Sequence, residues 1–161
     1  MKLAWSLLAV LLALPLQSGL TLLAPDLAAI IDPFLLITLY VTLTRGETSG
    51  MLVGAFSAWI EEAFFGGRVL GLLGLVRVLV AYVAGQAGRR FLFVSYGAYL
   101  VVIVVAFLAE GFILGQVASL FDVPLHDPST SILLRRAGLN AVCGAAAFRL
   151  LDRQRRAEQA P

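Results

Sequence analysis

The stretch GMLVGAFSAWIEEAFFGGRVLGLLGLVRVLVAYVAG, Gly50–Gly85, decides the fold. It reads as two apolar segments, 48–65 and 69–86, turned back on each other at Gly66-Gly67. The apolar character is continuous rather than alternating, which points to helices and away from a membrane barrel. A segment of about 20 mostly apolar residues is long enough to cross a bilayer. Yet this pair holds Glu61, Glu62 and Arg77. An ionisable group at mid-depth costs at least ~2.5 kcal/mol on insertion scales, so each needs a physical reason.

Working outward, four further apolar segments flank the pair: 3–23 and 27–44 before it, 91–121 and 132–151 after it. Pro15 is expected to kink the first. Asp32-Pro33 suits an N-cap followed by the first helical position of the second. The segment 91–121 is too long for one upright span, so it tilts, breaks near Gly111 or Gly115, or projects past the membrane. The expected fold class is an all-α integral membrane protein: one domain, 1–151, of six transmembrane helices, with a short basic tail at 152–161. Composition agrees. The 161 residues are 60% hydrophobic and 14% charged, and mean hydropathy is +0.93. Soluble domains carry about 25% charged residues. They also leave roughly a third of the unfolded chain's surface exposed, too much to hide this apolar content. A soluble enzyme, a disordered tail and a nucleic-acid module are excluded. The first apolar run exceeds the usual 7–15 residues of a signal core and lacks an A-x-A site, so it reads as a retained helix.

Lys and Arg collect on the cytoplasmic side of membrane proteins. With both termini inside, the inner face holds Lys2, Arg45, Arg89, Arg90, Arg149, Arg153, Arg155 and Arg156. The outer face holds Arg68, Arg135 and Arg136. The chain is thus expected to cross a membrane N-in and C-in, with residues 122–131 as an outer loop containing His126. The basic RLLDRQRR stretch, Arg149–Arg156, extends the last helix and is expected near anionic headgroups.

At ~1.5 Å per residue, Arg77 and Asn140 fall at similar depth, ~12 Å below the outer end of their helices. Glu110 comes close to the outer boundary, and Glu62 lies just before the Gly66 turn. Three acids (Glu61, Glu62, Glu110) and three bases (Arg77, Arg135, Arg136) therefore share the outer half, together with Asn140. A charge-balanced cluster is expected, with Glu62 pairing with Arg77 or with a base of the last helix. Such a cluster could pair helices, line a pocket for a partner or ligand, or carry protons. The last requires polar groups through both halves, and the inner half is almost free of charge.

Nothing in the sequence arranges a catalytic group. Ser18, Ser57 and Ser119 have no base beside them, and there is no Ser/His/Asp order or H-E-x-x-H. Cys143 is the only cysteine and His126 the only histidine, so no metal site or cofactor is expected. Cys143 reads as a small packed residue. Gly50/Gly54, Gly67/Gly71, Gly111/Gly115 and Ala9/Ala13 have small-x-x-x-small spacing, which lets helix backbones approach closely within the bundle or against another protein, a second copy included.

The segment DPFLLITLYVTLTRG, Asp32–Gly46, followed by Gly50–Gly85, resembles the core of the rod shape-determining protein MreD family. The shared order is Tyr40, Arg45, Gly46, Gly50, Gly54, Glu62, Gly66, Gly67, Gly71 and Tyr82, and Leu16–Ser18 is similar to the family's first helix. The chain departs from the family pattern in its Glu61-Glu62 pair where one Asp is common, in Arg68 where Pro is frequent, and in Arg77. The resemblance implies a non-enzymatic membrane component of the bacterial cell-elongation machinery. Its implied partners are an MreC-like bitopic protein, a RodA-type glycosyltransferase with its transpeptidase, and the MreB filament. It also implies a fold like the six-helix substrate-binding subunits of energy-coupling-factor vitamin transporters. Two other functions share these features: a vitamin-binding subunit of such a transporter, and a small proton-coupled transporter using Glu61, Glu62 or Glu110.

Overall fold

Asp32 and Pro33 start the helix around which the others assemble. The structure, a computed structural model, describes residues 2–66, 71–90, 96–122 and 130–158. Among these, seven helices and no strand occur: α1 (Lys2–Leu23), α2 (Pro25–Ala28), α3 (Pro33–Arg45), α4 (Glu47–Phe65), α5 (Leu72–Arg90), α6 (Tyr96–Leu120) and α7 (Thr130–Glu158). Pro33 opens α3 at the position where a missing N–H costs nothing, and the Asp32 side chain accepts from Leu35 N. No residue of α3 is exposed. It packs against α1, α4, α5, α6 and α7, whereas among the described residues the backbones of α5 and α7 do not come close to each other. The others therefore stand around a central helix.

Two apolar cores flank α3. Leu35 and Leu39 join Val76, Val80, Ile103, Phe107 and Ala141 on one side. Phe34 and Val41 join Val10, Ala13, Val53 and Ile60 on the other. Apolar residues also dominate the outside: Trp5 is 65% exposed and Leu23 89%. Four stretches are long and apolar enough to cross a membrane: Ala4–Leu23, Pro25–Arg45 (covering α2 and α3), Leu72–Arg89 and Tyr96–Leu120. Helices α4 and α7 fall outside that set. The first carries Glu47, Glu61 and Glu62; the second carries arginines at both ends.

The helix boundaries refine the segments read from the sequence. A short helix, α2, precedes Pro33, because Pro25 starts a turn of its own after α1; Gln17 Nε2 holds it by donating to Ala28 O at 3.0 Å. Pro15, where a kink is expected, lies inside α1. Helix α6 is unbroken through Gly111 and Gly115, since glycine weakens a helix without ending one. The basic stretch extends the last helix as expected, and α7 continues to Glu158. Gly67, Arg68, Val69 and His126 lie outside the described residues.

The glycines separate by role. A methyl at Gly50 would lie 2.9 Å from the Thr42 Cα, so α3 and α4 approach there as only glycine allows. One at Gly54 would meet Thr38 Cγ2 at 3.1 Å and Arg77 O at 3.4 Å. Gly111 faces Leu133 across the α6–α7 contact. Gly66 (φ +84°) and Gly71 (φ +94°) serve the turn rather than a packing seam, because their backbones are left-handed. Gly115 has open space beside it, and Cys143 is exposed, so neither packs as expected. Spacing alone does not say which face of a helix meets a neighbour.

Gly50→Ala should cost about 1–3 kcal/mol by overpacking. Gly115→Ala should leave stability unchanged or raise it by up to about 1 kcal/mol through helix propensity. Unfolding of the purified protein in mild detergent measures both.

Candidate functional site

Among the described residues Arg77 is the largest fully buried side chain, at 0% exposure. It sits on α5 one turn along from Leu73, on the face that α5 turns to α3 and α6. A guanidinium offers five N–H groups and no acceptor, and here they meet acceptors from three segments. Nε donates to Glu110 Oε1 of α6 at 2.9 Å. Nη2 donates to Asp32 Oδ2, the cap of α3, at 2.6 Å and pairs with Glu61 Oε2 of α4 at 2.7 Å. Nη1 reaches Ser57 Oγ of α4 at 3.4 Å. Glu110 and Asp32 are buried; Glu61 remains 27% exposed along its side chain.

Asp32 joins this cluster to α7. Its two oxygens divide the work: Oδ1 caps Leu35 N, while Oδ2 faces Arg77 and, at 3.6 Å, Arg136 Nη2. Asn140, fully buried, completes the link. Its Oδ1 accepts from Asp32 N at 3.0 Å, and its Nδ2 donates to Ile30 O at 2.7 Å and Arg136 O at 2.8 Å. The backbone between α2 and α3 is irregular, so its polar groups need such side-chain partners.

From Ser57 a line of hydroxyls continues into the α3–α4 seam. Ser57 Oγ lies 3.2 Å from Thr38 Oγ1 and donates to Gly54 O at 3.0 Å. Thr38 donates to Phe34 O at 2.9 Å, and Thr42 to Thr38 O at 2.7 Å. These hydroxyls are satisfied by their own helices, as threonine and serine in helices commonly are.

The expected pairing of Glu62 is overturned. Glu62 is buried but turned toward the start of α5, where its Oε2 accepts from Gly71 N at 2.6 Å and its Oε1 from Leu73 N at 2.7 Å. One carboxylate thus satisfies two free N–H groups at the start of a helix, where negative charge is also favoured by the dipole. Its neighbour Glu61, about 100° round the helix, is the one that meets Arg77. Arg135 is exposed, and among the described residues it makes no ion pair. Of the expected cluster, then, Glu61, Arg77, Glu110, Arg136 and Asn140 come together, while Glu62 and Arg135 stand apart. Sequence reasoning placed Asp32 only as a helix cap and weighed Ser57 only as a nucleophile. The signal for Asp32 was its position, an acid at a helix start on the same side as Arg135 and Arg136.

The opposite end of the bundle has separate ties. Arg89 pairs with Glu47 at 2.7 Å, Arg45 donates to Ser6, and the Tyr99 hydroxyl donates to Asp152. Tyr40 and Tyr99 pack on Phe148, which joins α3, α6 and α7 there. Among the described residues no three His, Cys, Asp or Glu are grouped to hold a metal ion. What the cluster does chemically is to hold helices: each of its charges faces a group on another segment.

Arg77→Met should cost about 3–5 kcal/mol, because it leaves buried carboxylates without their counter-charge. Glu62→Ala should cost about 0.5–2 kcal/mol, the range for losing a helix cap. Detergent-phase thermal unfolding ranks the two, and Glu62→Ala equalling Arg77→Met would contradict their separate roles. Compared with family models, with curated proteins and with solved structures, the chain matches none.

Proposed function

We propose that this chain is a six-span protein of the bacterial inner membrane with both termini in the cytoplasm, and that it is a non-enzymatic scaffold of the cell-elongation machinery of the MreD type. On this reading it binds an MreC-like bitopic protein. It works beside a RodA-type glycosyltransferase, its transpeptidase and the MreB filament in lateral wall synthesis.

The observation that carries the reading is that the buried ionisable groups all find their partners inside the fold. Asp32, Glu61 and Glu110 converge on Arg77, and Glu62 caps α5. Such a site fixes the relative positions of five helices, which is what a scaffold needs in order to present a constant surface. The residues carrying the family resemblance have matching local tasks: close approach at Gly50 and Gly54, the turn at Gly66 and Gly71, and the cap at Glu62.

The two helices that hydropathy leaves out support six spans rather than four. The acids of α4 near the turn count as polar in a hydropathy sum, yet their charge is met inside the fold. In α7, Arg135 and Arg153 stand ~27 Å apart along the axis, near the ~30 Å of a hydrocarbon core. Exposed Trp5, Leu12, Leu22 and Leu23 on α1, with Val101, Val105 and Phe112 on α6, leave apolar faces for lipid or for a partner's transmembrane helix. Orientation follows from Arg45, Arg89, Arg149 and Arg153, which outnumber the acids at their end.

A reporter fused after Arg156 should be active in the cytoplasm and silent in the periplasm. The tagged protein, purified in mild detergent, should bring down an MreC-like bitopic protein. A periplasmic reporter contradicts the topology, and recovery of no wall-synthesis partner contradicts the scaffold.

A further inference from the structure

Helix α7 carries a stripe that the buried network does not use. Arg135, Leu139, Val142, Ala146, Arg149 and Arg153 are all exposed. Their spacing alternates between four and three, which keeps them on one side of a helix. Leu139 is 43% exposed and Val142 58%, so the middle of the stripe is an open apolar strip. Its ends are cationic. Among the described residues Arg135, Arg149 and Arg153 make no ion pair. Arg136, one position on, is turned inward to Asp32 instead.

The dimensions fit a lipid leaflet pair. Arg149 stands ~21 Å and Arg153 ~27 Å along the axis from Arg135. Arginine lays its stem along apolar surface and sends its guanidinium outward, so both ends reach the headgroup layers. Arg149 and Arg153 are one turn apart, and a planar guanidinium is suited to phosphate oxygens.

We propose that this face of α7 is a phospholipid-binding surface, in which Arg149 and Arg153 together hold the phosphate of an anionic lipid while its chains lie along Ala146, Val142 and Leu139. Charge argues against a second copy as occupant. Two parallel chains paired about an axis along the membrane normal would set Arg135 on Arg135 and Arg149 on Arg149. The proposal rests on the six-span reading above, which the Arg156 reporter tests separately.

The test is native mass spectrometry of the full chain released from mild detergent after incubation with phosphatidylglycerol or phosphatidylcholine. The wild type should retain phosphatidylglycerol in preference to phosphatidylcholine. Each guanidinium removed should lower retention about fivefold, the equivalent of about 1 kcal/mol. The variant R149Q/R153Q should therefore lose most of the bound lipid, with an unchanged unfolding temperature, because neither residue is packed. The variant R89Q, at the same end, should retain it. Equal retention of both lipids overturns the proposal, as does undiminished retention in R149Q/R153Q. Equal loss in R89Q means diffuse attraction to a basic end and also overturns it. A wild-type dimer that R149Q/R153Q dissolves makes the occupant a second copy. A chain whose reporter is correct but which fails these tests loses the lipid site alone.

Discussion

A guanidinium removed from water must find counter-charge and acceptors, because its solvation is too large to forfeit and its proton too tightly held to shed. Arg77 meets this condition by drawing Asp32, Glu61, Glu110 and Ser57 to one point. Those groups come from the start of α3, from α4 and from α6. Through Asp32 the same point reaches Arg136 and Asn140 of α7. Moving any one of these helices would strand a charge, so a single side chain fixes the register of most of the bundle.

Beside its two apolar cores the bundle buries this charged cluster, and apolar residues also dominate its outside. Apolar burial can therefore contribute little to holding helices together if lipid is the solvent; close packing and internal polar contacts must do so. The glycines at positions 50 and 54 bring backbones near enough for such packing, and the Ser57–Thr38 contact lies in the same seam. The break between α2 and α3 is tolerated because Asn140 satisfies Ile30 O and Asp32 N. Irregular backbone at depth survives only where protein supplies its partners.

Much of this was legible in the sequence. Segment lengths marked the six long helices, Asp32-Pro33 marked the start of α3, and helical rise put Arg77 and Asn140 in the same layer. What was not legible turned on angles. Glu61 and Glu62 differ by about 100° around α4, and so do Arg135 and Arg136 around α7. Either member of each pair could have faced inward. The choice was made by the start of α5, whose Gly71 and Leu73 N–H groups reach Glu62 and leave Glu61 for Arg77. Asp32 was hidden because one visible task, capping α3, concealed a second that needs the positions of α5 and α7. The Gly111/Gly115 spacing marked one real contact, at Gly111, and one open face, at Gly115.

The most direct measurement of the ionic lock is a double-mutant cycle on Arg77 and Glu110, which lie on different helices and meet at 2.9 Å. Unfolding free energies of wild type, Arg77→Gln, Glu110→Gln and the double variant supply it. The account predicts that the double variant loses less than the two single variants combined, by about 0.5–3 kcal/mol. Additive losses would contradict it, because the two helices would then be held together by something other than this pair.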